Sequence, residues 1–132
     1  MSNTKMVVVV RRDLNMPPGL LAAQAMHIGM EFIRRKSWTP KKGEAEHIVS
    51  FNKVETEWFA QPYVSVLAVN TPEELDFVYK SAKNERLHAV EWLDVIPSEV
   101  LSGQVLECRV GISIGPADSD ALRKVTGTLP LY

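Results

Sequence analysis

The chain has 132 residues, 45% hydrophobic and 23% charged, which is ordinary for a globular protein with one core and leads us to expect a single domain over residues 1–132. Its one cysteine, Cys108, excludes an internal disulfide framework, no apolar run approaches the length of a membrane span, and the N-terminal "MSNTKMVVVVRRD" is too short in its apolar part for a signal peptide; together these fit a cytoplasmic protein. The net charge of −1 is unevenly spread, at +6 over residues 1–42 and −7 over residues 43–132, which marks either an anion-binding face or two solvated surfaces attracting each other across the fold.

"KMVVVVRR" is a continuous β-branched run, the pattern of a strand buried on both faces. After "NMPPG", the segment "LLAAQAMHIGMEFIRRK" predicts a helix. One stripe runs through Leu20, Ala23, His27, Met30 and Arg34, broadened by Leu21, Met26, Phe32 and Ile33, and Ala22 and Ala23 are small enough for close packing on a sheet. Pro17 and Pro18 suit its approach or first turn, and Arg34, Arg35 and Lys36 suit the negative end of its dipole. "SWTPKKGEAE" reads as a connection. In "HIVSFNKVETEWFAQ" the spacing of Ile48, Phe51, Val54 and Trp58 fits a helix.

"PYVSVLAV" alternates as a strand does. "NTPEELDFVYKSAKNE" has a cap, a proline and two glutamates ahead of Leu75, Val78, Tyr79 and Ala82, a strong helix start. "HAVEWLDV" and "CRVGISIG" are two further strands, the second weakened by Gly111, with "IPSEVLSGQVLE" between them as a loop or broken hairpin. "PADSDALRKVT" is a short helix opened by Pro116 and Asp118. The order β-α-(α)-β-α-β-β-α predicts an α/β fold with a parallel strand pair joined by helical crossovers and a closing antiparallel hairpin.

"KMVVVVRRDLNMPPGLLAAQAMH" resembles the opening of the type 2 peptidyl-tRNA hydrolases: an apolar strand, Arg-x-Asp-Leu-x-Met, a Gly-Lys-Gly-Lys turn, and Ala-Ala-Gln-x-x-His on a helix. The matching residues are Arg11, Asp13, Leu14, Met16, Gly19, Ala22, Ala23, Gln24 and His27. "ISIGPADSDALRKVTGTLPLY" resembles the family's closing segment, and "QPYVSVLAVNTPEELDFV" its middle strand and following helix. The resemblance covers most of the chain except residues 37–60 and 95–107. It implies a three-layer α/β/α sandwich whose four-stranded mixed sheet runs 2-1-4-3 with strand 4 antiparallel. It also implies hydrolysis of the ester joining a peptide to the 3′ end of tRNA, a peptidyl-tRNA partner, a homodimer and no cofactor.

In that family a lysine of the turn, an aspartate after the third strand and a threonine of the last strand are implicated. Here Pro17, Pro18, Gly19 and Leu20 replace the lysine-bearing turn, and neither proline nor leucine offers a side-chain donor. Asp94 falls where the family acid falls, but Val95, Ile96, Pro97 and Ser98 follow it in place of Ala-Gly-Arg-Thr-Gln. Counting back from Ile114, Gly115 and Pro116, Val110 takes the threonine position.

The resulting candidate catalytic set is Asp94, His27 and Gln24, and the candidate tRNA-binding set is Arg12, Arg34, Arg35 and Lys36. Each has a bland counterpart: a loop carboxylate, a half-buried polar core histidine, a glutamine bonded to loop backbone, and a solvated helix end. Asp13 reads as a turn residue accepting backbone N–H bonds, and Glu91 as pointing away from Asp94 across the strand. His27, His47, His88 and Cys108 show no metal-ligand spacing. Two functions follow: an ester hydrolase of the peptidyl-tRNA type, or a scaffold that has lost its cationic turn and serves as a binding or oligomerisation module.

Overall fold

The computed structural model describes residues 3–41, 43, 45–96 and 106–132. Strand β1 (Thr4–Arg11) runs through the middle of the molecule, and its apolar run divides by parity as a strand requires. Met6, Val8 and Val10 enter one core; Val7 and Val9 enter the other. Both faces being covered explains why the run is unbroken rather than alternating.

The four-stranded sheet has the order β4-β1-β6-β5, with β4 at Val64–Val69, β5 at Ala89–Ile96 and β6 at Leu106–Asp118. β1 is parallel to β4, while β6 is antiparallel to both β1 and β5. Counting only these four strands, the order is 2-1-4-3 with strand 4 antiparallel, as the resemblance implies. Helices α1 (Pro18–Lys36) and α2 (Lys53–Ala60) cover one face; α3 (Pro72–Asn84) and α4 (Ser119–Thr126) cover the other. The C-terminal residues run along the outer edge of β4, where Ala68 N–H donates to Pro130 O and Tyr132 N–H to Val66 O, each at 3.0 Å, blunting that edge.

Several local expectations change. The buried stripe of α1 is Gln24, Ile28, Glu31 and Phe32, not the one through Ala23, His27 and Met30. Met26 and Met30 are 67% and 57% exposed. Ala22 and Ala23 face solvent, and close approach to the sheet comes instead from Ile28 over Gly111. A Cβ on Gly111 would lie 2.6 Å from Ile28 Cδ1 and 2.5 Å from Val9 O, so the glycine that looked like a weakness in β6 is what admits the helix.

The segment around residue 50 is not one helix. Ile48–Val49 (β3) pairs with Ser37–Trp38 (β2), so part of the expected connection is strand. α2 begins only after Asn52, whose side chain accepts from Glu55 N–H at 2.8 Å while the Glu55 carboxylate accepts from Asn52 N–H at 2.9 Å, a reciprocal cap. Pro116 lies within β6, and α4 is capped by Asp118. The expected loop between β5 and β6 lies, over residues 97–105, outside the described residues.

Candidate active site at the α1–β5 edge

β5 lies beside α1 and runs the opposite way. Arg35 donates to Glu91 O at 3.5 Å, His27 stacks on Trp92 with centroids 5.1 Å apart and planes at 11°, and Gln24 meets Asp94. Trp92 and Asp94 sit two apart on one strand and share the face toward α1. Glu91 faces the other way, where Arg109 Nε donates to it at 2.9 Å and Arg109 also pairs with Asp76 on α3.

Gln24 is 4% exposed and bonded at both ends of its amide. Its Oε1 accepts from Trp92 Nε1–H at 2.8 Å, and its Nε2–H donates to Asp94 Oδ2 at 2.8 Å. These partners fix which way the amide points. Asp94 Oδ1 accepts from Val95 N–H at 2.8 Å. The half-buried carboxylate is thus held from two sides with lone pairs to spare. The sequence offers Trp92, like Trp38 and Trp58, as a base-stacking or a core side chain, but not as the partner of Gln24; the available signal for that was its i, i+2 relation to Asp94 on a predicted strand.

The first turn of α1 lies beyond Asp94. Pro17 caps it without a side-chain bond, Pro18 opens it, and Leu21 N–H donates to Pro17 O at 2.9 Å. The N–H groups of Gly19 and Leu20 have no helical carbonyl to bond, and they stand at the positive end of the helix dipole. Leu20 is half-buried against the core, Val110 is fully buried in it, and Cys108 is the cross-strand partner of Asp94. Desolvation pushes the Cys108 thiol above its ordinary pKa.

A family described as Peptidyl-tRNA hydrolase PTH2 matches residues 4–132. The chain belongs to this family. Among peptidyl-tRNA hydrolases it is 30% identical over 129 residues to that of Methanocaldococcus jannaschii, covering 96% of this chain and 98% of the relative, and 31% identical over 134 residues to that of Sulfurisphaera tokodaii, covering 97% and 98%. Peptidyl-tRNA hydrolase 2 of Saccharomyces cerevisiae is 25% identical over 130 residues; the match spans 97% of this chain but 58% of the yeast protein. A solved Agrobacterium protein of unknown function, Atu0240, shares the fold at a TM-score of 0.59 and 14% identity, covering 100% of this chain and 99% of that one.

The structure brings Asp94 and Gln24, expected from the resemblance at the positions of the family acid and glutamine, into contact, and sets half-buried Leu20 and buried Val110 at the positions expected for lysine and threonine. His27 is exposed and makes no hydrogen bond among the described residues; its ring stacks on Trp92. Among the described residues Asp13 accepts no turn N–H group. It binds the Arg11 guanidinium through Nε at 3.1 Å and Nη2 at 2.7 Å, which holds the Arg11 pKa above its ordinary value against partial desolvation.

The candidate tRNA contacts divide. Arg12 donates to Leu131 O at 3.1 Å and lies 5.4 Å over the Tyr132 ring. Lys36 Nζ pairs with buried Glu55 at 3.0 Å. Arg34 and Arg35 both bind Glu31, at 2.6 and 3.8 Å, yet their side chains stay 73% and 53% exposed. Among the described residues no group of three or more His, Cys, Asp or Glu is placed to hold a metal, and no helix is long and apolar enough to cross a membrane.

Proposed function

We propose that this protein hydrolyses the ester between a peptide and the 3′ end of tRNA at the corner of Asp94, Gln24 and the first turn of α1. The observation that carries the reading is the fixed Asp94 carboxylate, bonded by Gln24 and by Val95 N–H with acceptor capacity left over. Asp94 accepts from the attacking water, aims it at the acyl carbon and takes up its proton, which leaves on the ribose 3′ oxygen as the ester C–O bond breaks. As the tetrahedral intermediate forms, its oxyanion needs donors, and the free N–H groups of Gly19 and Leu20 supply them from backbone in place of a lysine side chain. Gln24 is a positioning residue. Arg34 and Arg35 are the cations best presented to the tRNA backbone.

Release of peptide from peptidyl-tRNA is the test. The wild-type chain should turn over, and Asp94→Asn should lose about a hundredfold or more. Full turnover by Asp94→Asn, or none by the wild type at high enzyme concentration, rejects the reading.

Half-buried Leu20 and buried Val110, where the family pattern has polar groups, favour a second reading, a binding module without turnover. Salt-dependent tRNA binding with no release of peptide would select it. A substrate of translation fits a cytoplasmic location. The exposed apolar side chains Met26, Met30, Phe59, Tyr63 and Val64 support a homodimer, which light scattering checks.

A further inference from the structure

Next to the candidate site lies a cavity that the hydrolytic chemistry does not use. It measures about 300 Å³ and is lined by His27, Met30, Glu31, Ile33, Arg34 and Trp92. That is the low end of the range of about 300–1,000 Å³ typical of small-molecule sites, room for one nucleoside-sized group. Its wall is an aromatic pair, His27 on Trp92, with planes only 11° apart. The indole N–H of Trp92 is already spent on Gln24, so the wall offers ring faces rather than a second hydrogen-bond donor of its own. The imidazole nitrogens, by contrast, have no partner among the described residues. Arg34 stands at the rim with Arg35 beside it, both well exposed.

We infer that this cavity seats the terminal nucleobase of the nucleic acid whose ester is cleaved at Asp94. The identity of that nucleic acid rests on the hydrolase reading; the nucleotide chemistry of the cavity does not. Flat aromatic faces bind bases by stacking, with little regard to sequence, and neighbouring guanidinium groups take the phosphates. A peptide side chain would use the apolar wall alone, whereas a nucleotide also uses the exposed guanidinium donors that Arg34 and Arg35 retain beyond their pairing with Glu31. The spacing also fits. Trp92 and Asp94 are two residues apart on β5, about 7 Å, so a base stacked at Trp92 brings the sugar that carries the ester toward the carboxylate. His27 thus becomes a binding residue of the stacking shelf rather than a proton donor to the reaction.

The test titrates the isotopically labelled full chain with AMP, with the trinucleotide CCA, and with N-acetylphenylalanine amide, following the Trp92 indole N–H by NMR (assigned from its loss in Trp92→Phe). AMP and CCA should shift that signal saturably, CCA more tightly. His27→Ala should weaken both by about tenfold, and His27→Phe, which keeps a ring, should restore most of the loss. Arg34→Gln with Arg35→Gln should weaken CCA while leaving the binding of adenosine, titrated alongside, unchanged. No shift with AMP at millimolar concentration, or a shift caused by the phenylalanine amide and not by AMP, overturns the inference. Saturable nucleotide binding in a chain that releases no peptide would sink the hydrolase reading and leave this one standing.

Discussion

Gln24 is the residue on which the candidate site turns, and its removal has a size that can be worked out. Gln24→Met keeps length and apolar bulk but deletes both amide bonds. One is a neutral bond from Trp92, the other a bond to the Asp94 carboxylate, each 2.8 Å long. A neutral bond contributes about 1 kcal/mol net and one to a charged group about 1.5–3. Trp92 and Asp94 are only half-buried, so water recovers part of this, and a loss of about 2 kcal/mol is expected. Gln24→Glu is the sharper probe. It sets two carboxylates at hydrogen-bonding distance, which cannot both stay ionised. At neutral pH it should therefore be less stable than Gln24→Met. Near pH 5 or below, a shared proton should close the gap, because protonation there relieves repulsion present only in the folded state. Urea unfolding of both variants across this range reads it. If Gln24→Glu matches the wild type at neutral pH, the amide is not held between Trp92 and Asp94 and the geometry proposed for catalysis fails with it.

Gly111→Ala should cost about 3 kcal/mol, because the new methyl meets Val9 O at 2.5 Å as well as Ile28 Cδ1 at 2.6 Å and a backbone oxygen in a central strand cannot step aside. Ile28→Val in the same chain should recover only part of the melting temperature, and full recovery would show that the side chain alone was the obstacle. The rate at which iodoacetamide modifies Cys108 should keep climbing past pH 9.0, the ordinary thiol value, since desolvation raises the folded-state pKa and withholds the thiolate. In urea the profile should fall back to that of a free thiol, and a folded-state plateau near pH 8 would contradict it.

The sheet was legible because its signals are local. A β-branched run, a capped helix after Thr71 and a closing hairpin each declare themselves within about ten residues. α1 was not, because its buried face carries Gln24 and Glu31 while methionines face solvent. Gln24 is buried on the strength of partners 68 and 70 residues away, and Glu31 through its pairs with Arg34 and Arg35. Hydrophobic periodicity cannot see a polar residue that is buried because it is bonded. The start of α2 was readable in principle: Asn52 and Glu55 form the Asn-x-x-Glu box that moves the helix start past Ile48. Asp94 and Gln24 emerged from the sequence through resemblance, whereas the bond from Trp92 that holds the other end of the Gln24 amide required the fold.

The loss of the lysine turn reorganises the electrostatics rather than merely weakening them. With Pro17, Pro18 and Leu20 at the corner, the positive end there consists of backbone N–H groups, whose influence is confined to the first turn. A polyanion is drawn from a distance by full charges, and the exposed pair Arg34 and Arg35 lies at the other end of the helix: Arg34 is 14 residues from Leu20, about 21 Å along the axis. In the proposed arrangement attraction and chemistry are therefore separated along α1. Because β5 runs antiparallel beside that helix, the contacts fall in one order: the arginines, then the His27–Trp92 shelf, then Asp94. A nucleic-acid end laid along this edge meets charge first, stacking second and the carboxylate last. A cation restored at position 20 would tighten the reacting end without replacing the arginines, because the two sites act on different parts of the same strand.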